Sequence, residues 1–246
     1  MSVVGILPAR WASTRLSGKV LVPIAGKPML EHVWLRVKQA RELDDVIIAC
    51  DEPHVLACAT AFGAKAVLTR KDHPSGSDRV AEVAAACKAD IIVNIQADEP
   101  LIQPELVDGL VRALKADNSC VLATPIKRLT TVEEFLNPNV VKVVVDKNAC
   151  ALYFSRAPIP HKRDGKADVT SYFKHLGIYA YRREFLFEYC RWPKSFLEQE
   201  ESLEQLRVLE AGYKIKTVET SMEAMGVDTP EDVIKVEAYM KAHGIR

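Results

Sequence analysis

The sequence predicts an α/β fold with a mostly parallel sheet, whose second half becomes rich in β-strands. Three observations predict it. Short apolar runs alternate with helical stripes in the first half of the chain, which is typical of strands joined by crossover helices. The 246 residues, 48% of them hydrophobic, can supply a sizeable core. After about residue 140, the pattern changes to alternating, hairpin-like runs.

In the first half, each element follows from its own pattern. The apolar run 3–7 predicts a strand that Pro8 should stop, because proline cannot donate to a strand ladder. Pro28 suits the first turn of a helix, and Gly63 suits the end of one. The next strands are predicted at residues 46–50, 66–68 and 91–97. The helices are predicted at residues 29–40, 54–62 and 78–88, the last with Ser77 as N-cap.

The second half begins with a helix at 104–116 and a strand at 120–125. Residues 142–156 alternate on both sides of Asp146, Lys147 and Asn148, which predicts a hairpin. The polar loop 157–170 suits either a lid or mobile surface. A strand is then predicted at 172–182, a helix at 202–211, a strand at 214–218 and a last helix at 231–242. Thr229 and Pro230 should cap that last helix.

The composition excludes several classes of protein. The 33 basic and 33 acidic residues balance, which argues against a general nucleic-acid or membrane-surface binder. No stretch has the length and apolarity of a signal peptide or a membrane span, so no membrane insertion is expected. The six cysteines lack a C-x-x-C spacing and read as reduced core residues. We therefore expect a cytoplasmic protein.

The first candidate site is the turn after the first strand. Arg10, Arg15 and Lys19 lie there among small and hydroxylated residues, so the backbone can approach a polyanion such as a nucleoside triphosphate. The alternative is a solvated basic turn. The spacing is not a Walker A motif, since Ser13 stands where that motif needs glycine.

Two acids are candidates for a metal site. Asp98 directly follows a buried strand, and ligands of such sheets gather where strands end. Asp228 precedes the last helix, and with Thr229 as cap its carboxylate has no local partner. Both would suit Mg²⁺ bridging to phosphate. The alternatives are that Asp98 caps the helix near Pro104 or merely ends the strand, and that Asp228 is a redundant cap.

A third candidate is the pair His175 and Tyr179, which a regular strand would present on one face. They could contact a ligand side by side. From the pattern alone, a structural role for this histidine is equally acceptable.

Seven segments together resemble the CMP-Kdo synthetase (3-deoxy-manno-octulosonate cytidylyltransferase) family. They are PARWASTRLSGK (8–19), HPSGSDRVAE (73–82), VNIQADEP (93–100), ALYFSRAPIP (151–160), HLGIYAYR (175–182), LEQLRVLEAGYKI (203–215) and GVDTPED (226–232). The first is shared with other sugar nucleotidyltransferases, whereas the later ones are specific. The resemblance implies a single Rossmann-like nucleotide-diphospho-sugar transferase domain over residues 1–246. A β-rich subdomain at about 140–200 would serve sugar binding and homodimerisation.

The activity that the resemblance implies is transfer of CMP from CTP to Kdo for lipopolysaccharide biosynthesis, with Mg²⁺ required. The implied catalytic residues are Arg10, Arg15, Lys19, Asp98 and Asp228, the two acids holding the metal. The implied nucleotide-binding residues are Ser13, Ser75, Gly76, Ser77, Arg79 and Gln96. The implied sugar-binding residues are His175, Tyr179, Glu204 and Gln205, with Arg156 and Arg163 as candidate cations for the sugar carboxylate.

The chain departs from the family pattern at three positions. Ser17 replaces a usual proline, Ala97 a usual glycine and Cys50 a usual threonine. A methyl group at Ala97 matters if the backbone there needs a positive φ or a close ligand approach. Ala97 leaves open a related acidic sugar such as an amino analogue of Kdo, or another nucleotide. A separate alternative is a non-catalytic nucleotide-binding module, and the presence of both Asp98 and Asp228 with the three cations argues against it.

Overall fold

The computed structural model describes residues 1–12, 16, 18–164, 168–222 and 225–245. Its strands are β1 Val3–Ala9, β2 Pro23–Ile24, β3 Lys27–Pro28, β4 Asp45–Cys50, β5 Lys65–Leu68, β6 Ile91–Asn94, β7 Cys120–Arg128, β8 Lys142–Val145, β9 Ala151–Ser155, β10 Phe173–His175, β11 Tyr179–Arg182 and β12 Lys214–Glu219. Its α-helices are α1 Met29–Val37, α2 Pro53–Ala61, α3 Gly76–Ala85, α4 Pro104–Ala116, α5 Val132–Leu136, α6 Arg183–Tyr189, α7 Phe196–Glu201, α8 Leu206–Glu210 and α9 Pro230–Ala242.

The chain divides into two compact units, one formed by residues 1–108 and 223–246 and the other by residues 109–222. In the first unit, β2 and β3 form a separate antiparallel pair, and the other four strands lie in the order β5-β4-β1-β6 and pair in parallel. Their carboxyl ends therefore share one edge, as predicted. The C-terminal segment adds to the core of this unit, because Val227, Val236 and Met240 pack with Ile24 and Met29.

The prediction that Pro8 stops the first strand is wrong. β1 continues to Ala9, with Pro8 opposite Ala49 of β4. The Ile6 carbonyl accepts a hydrogen bond from Ile95 N–H, so the backbone of Ile6 faces β6. Pro8 is two residues further along, so its backbone nitrogen, which carries no hydrogen, also faces the β6 side. β6 pairs with β1 only as far as Asn94, so no ladder bond is lost there.

The prediction that Ser77 caps α3 is also wrong. Ser75 is the N-cap: its backbone is extended, and its hydroxyl accepts a hydrogen bond from the backbone N–H of Asp78. Ser77 instead lies buried in the helix, where its hydroxyl accepts from the Asn94 amide at 3.4 Å. The caps of α9 are confirmed, with Thr229 as N-cap and Pro230 in the first turn.

In the second unit, β7 is central. It pairs antiparallel with β10 and β11 and parallel with β12. β8 pairs antiparallel with β10 and with β9, which confirms the predicted hairpin. The predicted β-rich subdomain at about 140–200 lies inside this unit.

Two predicted elements of the second unit are interrupted. The strand expected at 172–182 breaks between β10 and β11, where Ile178 N–H donates to the Leu176 carbonyl in a tight turn. The helix expected at 202–211 begins only at Leu206, because Ser202 adopts a left-handed backbone that ends α7. α7 itself was not predicted.

The carboxylate of Glu134, in α5, is held by several partners. It forms an ion pair with Lys174 and accepts hydrogen bonds from the Thr130 backbone at 2.8 Å and hydroxyl at 2.9 Å. Burial alone would raise the pKa of Glu134, but these partners outweigh it and lower the pKa to about 2.

Among the described residues, no helix has both the length and the apolarity needed to cross a membrane.

Candidate active site

A cleft of about 390 Å³ opens at the carboxyl ends of β1 and β6 in the first unit. Its size falls in the usual range for small-molecule sites. Six of the predicted site residues line it: Arg10, Lys19, Gly76, Gln96, Asp98 and Asp228. Ser13 and Arg15, predicted for the same site, lie outside the described residues, as does Ser17.

The centre of the cleft is an ion-paired triad. The ammonium group of Lys19 donates to Asp98 Oδ2 at 2.6 Å and to Asp228 Oδ1 at 2.8 Å. Burial alone would lower the pKa of Lys19, but the two carboxylates outweigh it and raise the pKa above its ordinary value. The predicted convergence of the two acids is confirmed. Their pairing with Lys19 was not foreseen.

The backbone explains why the acids meet. Asp98 follows β6 closely, and its carbonyl accepts a hydrogen bond of 2.9 Å from Val227 N–H, one residue before Asp228. The C-terminal segment is therefore tied directly to the end of β6. Thr229 and Asp232 cap each other's backbone, so the Asp228 side chain is not used as the cap.

The donor set fits a hard divalent cation. Two carboxylate oxygens lie within 2.8 Å of one ammonium nitrogen, so they already surround one position of positive charge. Mg²⁺ is usually bound by one or two carboxylates together with phosphate oxygens. Asp98 and Asp228 are the described residues that would hold it.

Arg10 presents an unpaired donor. Its Nη2 atom is buried and has no hydrogen-bond partner among the described residues, although the residue lines the cleft. A buried guanidinium nitrogen without a partner is unfavourable, so it marks a place where an anionic ligand would be stabilised.

The start of α3 contributes backbone rather than side chains. Gly76 lines the cleft in the first turn, where helix N–H groups are oriented toward anions. The Ser75 hydroxyl is engaged by Asp78, at 2.5 Å to its carboxylate, and the Ser77 hydroxyl is buried. Direct nucleotide contacts by these two hydroxyls remain predictions.

Arg79 lies fully buried beneath the site. Its guanidinium donates to the Arg70 carbonyl at 3.1 Å, to Thr69 and to Asp51 at 3.4 Å. Asp51 in turn accepts from the Trp11 backbone at 2.9 Å. Arg79 thus supports the loop that follows β1, and its predicted contact with the nucleotide stays a prediction.

A close contact between Trp11 and Gly18 escaped the sequence analysis. Gly18 has φ +65°, and a Cβ atom there would lie 2.5 Å from the Trp11 ring. The Trp11 ring also packs edge-on against the His54 ring, with 4.1 Å between ring centroids. Both Trp11 and Gly18 belong to the segment 8–19 that the sequence analysis singled out. The sequence alone, however, does not indicate that the two residues are in contact.

The backbone at Ala97 answers one question raised by the sequence. Among the described non-glycine residues, positive φ occurs at Ala25, Ala149 and Ser202, so Ala97 adopts an ordinary conformation. Its methyl group still borders the cleft. Beside it, burial and the charge of Asp98 raise the pKa of Glu99 to about 8, which favours the protonated carboxyl.

In the second unit, His175 is held as a neutral ring. Burial lowers its pKa to about 3. Its Nε2 lies 2.8 Å from the Thr124 hydroxyl oxygen. That hydroxyl donates its single proton to the Ile178 carbonyl at 2.8 Å, so it accepts a hydrogen bond from Nε2. This network assigns the ring proton to Nε2 and leaves Nδ1 as an acceptor.

Tyr179 lies beside His175, with ring centroids 5.5 Å apart, so the predicted adjacency is confirmed despite the broken strand. The Tyr179 hydroxyl donates to Gln205 Oε1 at 3.2 Å. Gln205 Nε2 is buried without a hydrogen-bond partner among the described residues, which makes it a free donor. Glu204 is half-buried next to it.

The two candidate cations for a sugar carboxylate differ. Arg156 donates to the backbone carbonyls of Glu201 at 2.7 Å, Pro138 at 3.0 Å and Ser202 at 3.4 Å. Its guanidinium is therefore already used in holding three backbone carbonyls. Arg163 lies exposed in the loop 157–164.

Comparison with known proteins gives a consistent result over the whole chain. A family model described as Cytidylyltransferase matches residues 4–215. A relative from Geotalea daltonii, named 3-deoxy-manno-octulosonate cytidylyltransferase, is 47% identical over 253 residues, covering 99% of this chain and 100% of the relative. A relative of the same name from Solibacter usitatus is 52% identical, covering 98% and 95%.

Solved structures agree. A CMP:2-keto-3-deoxy-manno-octonic acid synthetase complexed with CTP superposes with a TM-score of 0.94 at 45% identity, covering 99% of this chain and 100% of that one. A 4-diphosphocytidyl-2C-methyl-D-erythritol synthase from Anaerococcus prevotii, 14% identical over 98% of each chain, has a TM-score of 0.65 and shares the fold.

Proposed function

Since the chain belongs to the cytidylyltransferase family, we propose that it transfers CMP from CTP to Kdo and releases pyrophosphate. The product is the activated sugar for lipopolysaccharide biosynthesis. One observation carries the proposal at the atomic level: the Lys19–Asp98–Asp228 triad lies in one cleft with the unpaired Arg10 donor. That combination suits a metal-bound triphosphate.

The reaction needs positioning and charge neutralisation more than covalent help from the protein. The anomeric hydroxyl oxygen of the sugar forms a bond to the α-phosphorus and loses its proton. The bond from the α-phosphorus to the bridging oxygen breaks in line, and pyrophosphate leaves with the electron pair. Arg10 and Lys19 would bind the triphosphate and stabilise charge on the leaving group, together with Arg15 and Ser13.

Mg²⁺, held by Asp98 and Asp228, would neutralise charge at the α-phosphate and lower the pKa of the attacking hydroxyl. In the free protein, the single positive charge of Lys19 lies between both carboxylates, offsets one of their two charges and reduces their mutual repulsion. On nucleotide binding, the Lys19 ammonium would donate to phosphate oxygens instead. Gly76 at the start of α3 would add backbone N–H groups, and Gln96, Ser75, Ser77 and Arg79 would border the base and ribose.

Kdo would be bound by polar groups of the second unit. His175 Nδ1 would accept a hydrogen bond from a sugar hydroxyl, because the ring is neutral and Nε2 carries the proton. Gln205 Nε2 would donate to the sugar, since it has no partner among the described residues. Tyr179 orients the Gln205 amide, and Glu204 would accept from a further hydroxyl.

The direct test is pyrophosphate release by the purified chain with CTP, Kdo and Mg²⁺. A panel replaces CTP with UTP or dTTP, and Kdo with its amino analogue or with sialic acid. We expect turnover with CTP and Kdo to exceed every other pair by at least about 10²-fold, as expected when buried polar groups read a substrate. No pyrophosphate from CTP and Kdo would refute the proposal.

We also propose that the chain is a homodimer, in line with its β-rich subdomain. β9 is an edge strand of the sheet in the second unit, and it carries Leu152, which is 61% exposed. Phe196 on α7 is 69% exposed. Apolar groups on an open edge would be covered by a second copy. Light scattering of the wild type and of Leu152→Glu measures the molar mass of each. We expect a dimeric wild type and a weakened dimer in Leu152→Glu, and a monomeric wild type would contradict the proposal.

The cytoplasm is the compartment that we propose. All six cysteines are free thiols, including Cys120 and Cys150, whose sulfur atoms lie 3.8 Å apart. Such a pair would be prone to oxidation in a compartment that promotes disulfides. Fractionation of cells expressing the chain would test this.

A further inference from the structure

The proposed function leaves one cluster of ligating groups in the second unit without a role. Asp117 follows α4, Cys120 begins β7, and Cys150 immediately precedes β9. The carboxylate oxygen of Asp117 and the two sulfur atoms all lie within 4.8 Å of one another. The cluster thus joins the short connection from α4 to β7, which carries Asp117 and Cys120, to the segment that precedes β9.

The distances match those of a tetrahedral zinc site. Zn–S bonds of about 2.3 Å at a tetrahedral angle put two sulfurs about 3.8 Å apart, and a sulfur and a carboxylate oxygen about 3.5 Å apart. Cys120 and Cys150 have their Sγ atoms 3.8 Å apart. Cys120 Sγ lies 3.5 Å from Asp117 Oδ2. These two separations already suit the ion, and the third, between Asp117 and Cys150, is within 4.8 Å.

The three ligands are also oriented by their neighbours. Asp117 Oδ1 accepts from the Ser119 backbone at 3.0 Å and from its hydroxyl at 2.7 Å, which turns Oδ2 toward Cys120. Asp146 Oδ1 accepts from the Cys150 backbone at 2.8 Å and fixes the turn that carries this thiol. Partners of this kind, which hold the ligands themselves, raise metal affinity.

The charges balance as well. With both thiols deprotonated, the cluster carries three negative charges. Lys216, whose ammonium lies 3.7 Å from Asp117 Oδ2, supplies one positive charge, and a divalent ion supplies two. The Lys216 ammonium is held by the Asn148 carbonyl at 2.6 Å, so it stays beside the cluster without occupying its centre. Both thiols are buried, whereas the Asp117 carboxylate is 30% exposed and offers an entry for the ion.

We propose that Asp117, Cys120 and Cys150 form a Zn²⁺ site, with water as the fourth ligand. Two thiolates and one carboxylate select zinc over magnesium and calcium, which prefer all-oxygen sites. Two protons are released to the buffer when the ion binds. The bound ion ties the end of α4 and the start of β7 to the segment before β9. This inference does not depend on the proposed cytidylyltransferase activity.

The experiment uses the full chain, reduced and freed of metal by a chelator, with Mg²⁺ in excess to saturate the carboxylate site of the first unit. Co²⁺ is then titrated as a spectroscopic substitute for zinc. We expect about one Co²⁺ per chain with thiolate-to-cobalt charge-transfer absorption in the near ultraviolet, lost when Zn²⁺ is added. Cobalt at Asp98 and Asp228 has only oxygen ligands and cannot give that absorption.

Cys120→Ser and Cys150→Ser should each weaken cobalt binding by more than about 100-fold, since even an outer partner of a metal site is worth about 10–100-fold. Asp117→Asn should weaken binding while keeping the sulfur absorption. Cys58→Ser, which removes a half-buried thiol of α2, is the matched control and should bind as wild type does. Circular dichroism verifies that each variant folds.

Three outcomes would overturn the proposal. They are a wild type without charge-transfer absorption, a Cys120→Ser or Cys150→Ser variant that binds cobalt as tightly as wild type, and a loss of two thiols to a disulfide under the reducing conditions of the titration.

Discussion

Asp228→Asn is expected to remove most of the turnover and little of the stability. The substitution keeps the size of the side chain and one oxygen, but it removes a charge from the triad that Lys19 forms with the two acids. The variant therefore isolates the electrostatic role of Asp228 from its packing.

The two magnitudes come from different features of the structure. In the free variant, Lys19 retains its 2.6 Å contact with Asp98, and the Asp228 side chain is 40% exposed, so water solvates much of what is lost. Ion pairs of that exposure contribute about 0–1 kcal/mol to stability. Loss of one preorganised charge at a reacting phosphate costs about 10²–10³-fold in turnover, or about 2.7–4 kcal/mol.

The assay measures pyrophosphate release at saturating CTP and Kdo over a range of Mg²⁺ concentrations, with urea unfolding of the same preparation. Asp90→Asn is the matched control, because Asp90 lies just before β6, at the end of the sheet away from the cleft, and its side chain accepts from the Ser2 backbone at 2.7 Å. The control should retain turnover within about twofold.

A rate for Asp228→Asn within about threefold of wild type would refute the role of this acid. A loss of unfolding free energy above about 3 kcal/mol would equally refute the reasoning, because Asp228 would then be a structural residue.

Three further changes separate other parts of the reasoning. Gly18→Ala should lower the free energy of unfolding by about 1 kcal/mol more than Gly212→Ala does. Both glycines have positive φ, but only a Cβ atom at residue 18 would lie against Trp11. Equal losses in urea unfolding would contradict this. Gln205→Met should raise KM for Kdo about tenfold and leave KM for CTP unchanged in steady-state assays, since only a donor to the sugar is lost; an unchanged KM for Kdo would show that the donor has another partner. Wild type should be more stable than Glu134→Gln by about 3 kcal/mol at pH 7. This difference should be present above about pH 4.5 and vanish as the pH falls toward 2, because the Glu134 carboxylate is protonated in the unfolded chain at a higher pH than in the folded chain. A constant difference in unfolding free energy between pH 7 and 2 would argue against the low pKa of Glu134.

Much of the first unit could be predicted from the sequence, because its strands are apolar runs bounded by turn residues. The helix caps at Thr229 and Pro230 are local signals and were predicted correctly. The extension of β1 through Pro8 could not be predicted, since it depends on where the neighbouring strand β6 ends. Ser75 and Ser77 are both suitable caps by residue type, and only the folded chain distinguishes them, through the extended backbone of Ser75 and its hydrogen bond from Asp78 N–H.

The candidate site shows the same division. The residue types of the cleft were predictable, because cations on a turn and acids at strand and helix ends carry their chemistry with them. The partners were not. Lys19 pairs with Asp98 and Asp228, and the burial of Arg79 beneath the site follows from Asp51 and Thr69, which lie 28 and 10 residues away in sequence. Such pairings are properties of the folded chain and not of any local segment.

The first unit is built from both ends of the chain, and this determines when the cleft can exist. A nascent polypeptide presents the loop after β1 and Asp98 long before Asp228 and Val227 leave the ribosome. Until then the Lys19 ammonium has one acidic partner instead of two, and the core around Ile24 and Met29 lacks Val236 and Met240. We therefore expect nucleotide binding to need the segment that carries Val227 and Asp228, and fragments that end before residue 223 to lack it.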